Sequence, residues 1–184
     1  MDTERRRAAR LATLIAVPVA VLVGFISYAV LDSRTSAQPP VTSQTLSTGS
    51  TSDVPMAAPS LSPGRATMCL AFIAALPTTL NNLAERRVTA GPEQNIAYGD
   101  PAITAACGVA PAVVASGAIA YNVGKVCWYE ETGPDASVWT TLDREVPVKV
   151  TVPNSYASPG QWVTLFANAL VASVPSVPTK FQCG

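Results

Sequence analysis

Residues 11–31, LATLIAVPVAVLVGFISYAVL, run without a charge. At about 1.5 Å rise per residue, this stretch makes a helix about 31 Å long, the hydrocarbon thickness of a bilayer. Arg5, Arg6, Arg7 and Arg10 precede it, and Asp32 and Arg34 follow. The positive-inside rule then predicts a cytoplasmic tail at 1–10, a single-pass transmembrane anchor at 11–31, and an extracytoplasmic remainder. A cleaved signal peptide is the competing reading, with Thr35-Ser36-Ala37 as a small-residue cleavage site. The apolar run exceeds the roughly 7–15 residues of a signal core, which favours an uncleaved anchor. Pro18 and Gly24 are compatible with a membrane helix. The stripe Ala12, Ala16, Ala20 and Gly24 reflects the abundance of alanine as readily as a helix-packing face.

Residues 32–63 read as a Ser/Thr/Pro-rich linker. Between 35 and 63 twelve residues are Ser or Thr, five are Pro, and Asp53 is the only charge. Such a segment has too little apolar surface to offset its ordering entropy, which predicts a disordered tether. The folded unit is then 64–184. The whole chain has 12 basic and 12 acidic residues and no histidine. Zero net charge argues against a nucleic-acid partner, and the missing imidazole removes the commonest general base and metal ligand.

All four cysteines, Cys69, Cys107, Cys127 and Cys183, fall in the exported part, with no CxxC spacing. An even number in an oxidising compartment predicts two disulfides and no redox motif. Three pairings are open. The reading adopted is Cys107–Cys127, joining two strands, and Cys69–Cys183, tying the first helix to the C-terminal tail.

Cys69, Phe72, Ile73, Leu76, Leu80 and Leu83 fall on one helical face. Pro77 kinks or splits that helix, into pieces near 65–75 and 78–86. Ser158-Pro159-Gly160-Gln161 fits a capping box ahead of an apolar stripe of Trp162, Leu165, Phe166, Ala169 and Leu170. Between the helices the period becomes two. Val146, Val148, Val150 and Val152 alternate with polar residues and Pro147, predicting a half-buried strand. Ser137–Leu142 pairs with it through an Asp143-Arg144 turn. Lys125–Glu131 and Ala102–Cys107 complete the set. The expected fold class is α+β: a small antiparallel sheet of about four strands, covered on one face by two helices.

With these blocks in order, the chain resembles the actinobacterial family known as domain of unknown function 3515. The resemblance covers most of 66–174. It rests on Cys69, Leu76-Pro77 and Arg86-Arg87, then on Ala97-Tyr98-Gly99-Asp100-Pro101, where the family usually has Trp in place of Tyr98. Cys107-Gly108-Val109, Trp128, Trp139-Thr140-Thr141 with Arg144, and Val150-Thr151-Val152-Pro153 follow. It implies an envelope protein anchored by one N-terminal helix, and brings no activity with it.

Without histidine, a nucleophilic hydrolase needs a Ser–Lys or carboxylate arrangement. No SxxK motif accompanies Lys125, Lys149 or Lys180. Glu130 and Glu131 are adjacent on a predicted strand, so they project from opposite faces, a poor geometry for paired carboxylates. Asp135, Asp143 and Glu145 sit in or beside hairpin turns, and no EF-hand loop or dense oxygen cluster predicts a metal. No catalytic residue, cofactor or metal site is therefore assigned. Tyr98, Asp100, Trp128, Trp139 and Arg144 are the candidate ligand or partner surface, since Trp and Arg often anchor binding sites. The structural alternative places both Trp rings in the core and pairs Asp100 with Arg144. The expected function is a non-catalytic binding or accessory module of the cell envelope, contacting the membrane through 11–31 and an envelope protein or cell-wall partner outside. The alternative is a carboxylate-dependent enzyme acting on cell-wall material. Two carboxylates converging in a deep cleft would favour the enzyme.

Overall fold

The computed structural model of the chain describes residues 52–184. The predicted tail, the predicted span at 11–31 and the first part of the linker lie outside the described residues. No helix among the described residues is long and apolar enough to cross a membrane.

Helix α1 (Pro63–Ala74) opens the domain, and β1 (Thr79–Leu80), β2 (Leu83–Arg86), β3 (Asn95–Tyr98) and β4 (Ile103–Cys107) follow. After a connection at 108–119 come β5 (Ala120–Val123), β6 (Val126–Thr132), β7 (Ala136–Thr141), β8 (Val148–Pro153) and helix α2 (Pro159–Ser173). The strands form one eight-stranded sheet in the order β1-β2-β3-β4-β8-β7-β6-β5, with every neighbouring pair antiparallel. Two four-strand meanders thus meet where β8 returns beside β4.

This corrects the expected sheet of about four strands. The helix expected at 78–86 is a hairpin instead. Asn81 and Asn82 both take positive φ, at 45° and 69°, and Leu80 pairs with Leu83 across them. Two left-handed residues in a row make the turn that matches strand twist, and Asn tolerates that conformation best after Gly. The β5–β6 turn uses the same device at Gly124 and Lys125, with φ of 63° and 64°. Alanine at Gly124 would drive its Cβ into the Ala167 Cβ on α2. Gly124→Ala is expected to cost about 1–3 kcal/mol, through strain and displacement of the helix. Urea titration followed by circular dichroism measures it.

The two-residue period of β8 holds. Val148, Val150 and Val152 are buried and Lys149 is exposed. The valines meet Ile103, Ala105, Trp128, Phe166 and Leu170 in one core beneath the helices. Both helices start with Pro at N1, but neither Ser62 nor Ser158 makes a side-chain capping bond. The expected capping box at 158–161 does not form, because Ser158 is left-handed and its carbonyl accepts from the Gln161 amide at 2.9 Å.

The disulfides are Cys69–Cys107 and Cys127–Cys183, with Cα separations of 5.5 and 5.7 Å. Both expected bridges are overturned: Cys107–Cys127 is excluded by topology, because β8 and β7 lie between β4 and β6, and Cys69–Cys183 gives way because α1 packs over β4 while the tail runs along β5. Cys107 is on the helix-covered face, beneath α1. Cys127 lies between the core residues Val126 and Trp128, so alternation turns it to the other face, where it holds the tail. Ala120 bridges Cys183 in parallel, and the Asn122 amide donates to the Gly184 carbonyl at 2.8 Å, lining the free edge of β5.

Residues 52–62 also depart from the predicted tether. Val54 donates to the Arg87 carbonyl at 2.8 Å and accepts from the Thr89 amide at 3.0 Å. The Asn95 and Gln94 side chains donate to the carbonyls of Ala57 and Pro59 at 3.0 and 3.2 Å. The segment is an ordered strap, held by backbone bonds at Val54 and by the buried Gln94 and Asn95 side chains.

Candidate clefts beside the open sheet face

The helix-covered face is closed by the core. On the other face, Thr104 pairs with Thr151 and Ala106 with Lys149 across the β4–β8 seam. Strap residues Pro55, Met56, Ala57 and Pro59 wall this seam, leaving a cleft of about 340 Å³. A larger cleft, about 520 Å³, adjoins it. Its walls come from Arg65 on α1, loop 108–112, Thr141 and Leu142 at the end of β7, Arg144, Glu145, Pro147, and Phe181 of the tail. Val109 and Ala110 line both clefts.

The five sequence-selected residues do not form one surface. Tyr98 and Trp128 are completely buried. The Tyr98 hydroxyl donates to the Pro77 carbonyl at 2.6 Å, and the Trp128 Nε1 donates to the Val123 carbonyl at 3.1 Å. Trp139 is buried too. Its Nε1 donates to Ser137 Oγ at 2.7 Å, which donates onward to Glu130 at 2.6 Å. Asp100 meets Arg86 at 3.5 Å, not Arg144. Arg144 alone of the five lines the larger cleft, and its guanidinium is already engaged. Its Nη atoms donate to the carbonyls of Val174 and Lys125 at 3.2 and 2.7 Å, and Nε faces Asp143 Oδ1 at 3.4 Å as an ion pair.

The Tyr98–Pro101 block is an architectural corner. Gly99 has a φ of 73°, and a Cβ there would come within 2.9 Å of the Tyr156 hydroxyl. Arg86 donates to the Gly99 carbonyl at 3.1 Å and to the Ser52 carbonyl at 2.6 Å, and Tyr156 donates to the Pro101 carbonyl at 2.7 Å. Burial, with a smaller contribution from the Glu85 carboxylate, pushes the Tyr98 phenol well above its ordinary value. Burial likewise raises Tyr156, with Asp100 adding to the rise and Arg86 opposing it.

A raised phenol value in the folded state means that stability is fully present below the unfolded value near 10 and is lost as pH rises beyond it. Urea midpoints of the parent should therefore fall between about pH 9 and pH 11. Tyr98→Phe should fall less steeply over that window, while losing about 1 kcal/mol at neutral pH with the Pro77 hydrogen bond.

Sequence reasoning missed Arg65 and the loop at 108–112. The signal available was the absence of any charge from 101 to 124, which leaves Arg65 and Glu145 to set the polarity of the cleft that this loop lines. Among the described residues no group of three His, Cys, Asp or Glu side chains is placed to hold a metal. The larger cleft is thus lined by charged side chains of both signs and by apolar residues.

The fold and its clefts define a disulfide-braced antiparallel-sheet domain, with helices over one face and a strap and tail bordering the other. The family described as Protein of unknown function (DUF3515) matches residues 15–179, and the chain belongs to it. No curated protein and no solved structure matches the chain.

Proposed function

We propose that this chain is a non-catalytic binding or accessory module of an actinobacterial cell envelope. Residues 11–31 anchor it in the cytoplasmic membrane, and the disulfide-braced domain engages a protein or cell-wall partner outside. The observation that carries the reading is the pair of adjoining clefts that meet at Val109 and Ala110. They are held open by a strap and a tail that are themselves tied down, a preformed concavity of the kind that ligands and partner segments occupy. The two disulfides support an oxidising compartment, and the uncharged run supports the anchor. Glu130 and Glu131 leave opposite faces of β6, opposite Trp139 and Val138 respectively, so these two do not converge as a carboxylate pair.

A photoreactive residue introduced at Ala110 in the full chain, activated in intact cells, tests the proposal. It should capture one defined partner, whereas the same probe at the helix-face residue Val171 should not. Recovery of the chain alone from both positions overturns the proposal. So does recovery of the chain in the soluble cytosolic fraction with free thiols.

A further inference from the structure

We infer that the larger cleft binds the zwitterionic ends of a short peptide, with the carboxylate at Arg65 and the ammonium at Glu145. The inference rests on the binding role proposed above and names the chemistry of its ligand.

Arg65 is the starting point. Its Nε is buried without a hydrogen-bond partner, and it belongs to none of the three ion pairs among the described residues. It also stands in the first turn of α1, which carries no acidic residue. A cation there opposes the helix dipole, so its position does nothing for the helix. A guanidinium with a buried, unpartnered Nε, on a half-buried side chain beside the positive end of a helix, is matched by a carboxylate, which Arg binds through two parallel hydrogen bonds.

Glu145 fixes the remaining polarity. Its side chain is exposed at the same cleft and forms no ion pair with Arg65. The Asp143 carboxylate, which neutralises Arg144, adds no unpaired charge. The cleft therefore presents one open cation and one open anion. A phosphate would meet repulsion from Glu145, whereas an ammonium would be paired. Between the charges, Val109, Ala112, Leu142, Pro147 and Phe181 supply apolar walls, suited to small aliphatic side chains. A volume of about 520 Å³ admits a peptide of a few residues.

Calorimetric titration of the detergent-solubilised full chain with trialanine tests this. Saturable binding is expected, weakened about tenfold or more by N-acetylation or C-amidation of the peptide, and by Arg65→Gln or Glu145→Gln. Arg65→Lys should retain part of the affinity. Free alanine should bind more weakly than trialanine; equal or tighter binding of alanine overturns the peptide assignment. Inorganic phosphate binding more tightly than trialanine, equal binding of the capped peptides, or no saturable binding also overturns the inference. Should Arg65→Gln fail to fold, Glu145→Gln, at an exposed side chain, decides alone. Partner capture from position 110 that persists in Glu145→Gln, without trialanine binding to the parent, sinks this inference while leaving the broader binding role standing.

Discussion

Replacing Cys69 and Cys107 together by serine is expected to lower folding stability by about 4 kcal/mol or more. The bridge closes a loop across a sequence separation of 38 residues, and the chain-entropy model assigns such a loop about 4 kcal/mol. Both sulfurs lie in the helix-covered core, at 0% and 1% exposure. Serine hydroxyls placed there add the desolvation cost of unpaired polar groups, about 1–3 kcal/mol. The Cys127–Cys183 bridge spans 56 residues, an entropic contribution of similar size. Its loss frees a tail at the sheet edge and does not open the core, so the Cys127→Ser, Cys183→Ser double variant should be the less damaged of the two. Urea unfolding of the oxidised full chains measures both. A loss below about 1 kcal/mol for the Cys69–Cys107 pair would remove the bridge from the account of what holds α1 to the sheet. Peptide mapping without reductant should recover Cys69 joined to Cys107 and Cys127 joined to Cys183.

That pairing marks where local pattern stops informing. An even cysteine count was enough to predict two bridges, but the partners depend on which strand returns beside which. Because β8 inserts next to β4, β4 and β6 are separated, a long-range fact that no spacing encodes. The strongly periodic elements were readable: β8 from the alternating Val148, Val150 and Val152, β6 from Val126 and Trp128, and α2 from its apolar stripe. The β1–β2 hairpin was not, because Leu80 and Leu83 satisfy the helical period and the strand register at once. Asn81-Asn82 was the deciding signal, a turn dipeptide in what would have been a helix interior. The strap was opaque for another reason. Its apolar residues, Val54, Met56, Ala57, Ala58 and Leu61, follow neither a helical nor a strand period, and its order comes from the backbone bonds of Val54 to Arg87 and Thr89 and from the Gln94 and Asn95 side chains that bind its carbonyls.

The site was less legible than the fold. Selecting Trp, Tyr and Arg as binding anchors picks out the same residues that fill the core of a small sheet. Tyr98, Trp128 and Trp139 are all interior. The blocks that carry the family resemblance largely touch one another. Cys69 joins Cys107, Tyr98 meets Pro77, and Arg86 meets Gly99 and Asp100. Within these blocks, the resemblance traces the braces of the domain. Arg65 and Glu145, which set the polarity of the larger cleft, stand outside them.

Arg144 belongs to both descriptions, and its removal separates them. The residue is 8% exposed, and its guanidinium ties three segments together: the carbonyl of Val174 after α2, the carbonyl of Lys125 in the β5–β6 turn, and the carboxylate of Asp143. Asp143 Oδ1 in turn accepts from the Cys127 amide at 3.1 Å. Arg144→Ala therefore strands two carbonyls and leaves a largely buried carboxylate without its counter-charge, a loss of about 3–5 kcal/mol. Arg144→Lys keeps the charge but lacks the planar fork that reaches several acceptors, so it should recover only part of that stability. Asp143→Asn, which removes the stranded anion, should make the Arg144→Ala background less unstable, a coupling that a double-mutant cycle reads directly. Unfolding of the four variants in urea decides the matter. If Arg144→Ala instead melts with the parent while losing photocapture of the partner from position 110, the side chain acts in the contact surface and the brace assigned to it is wrong.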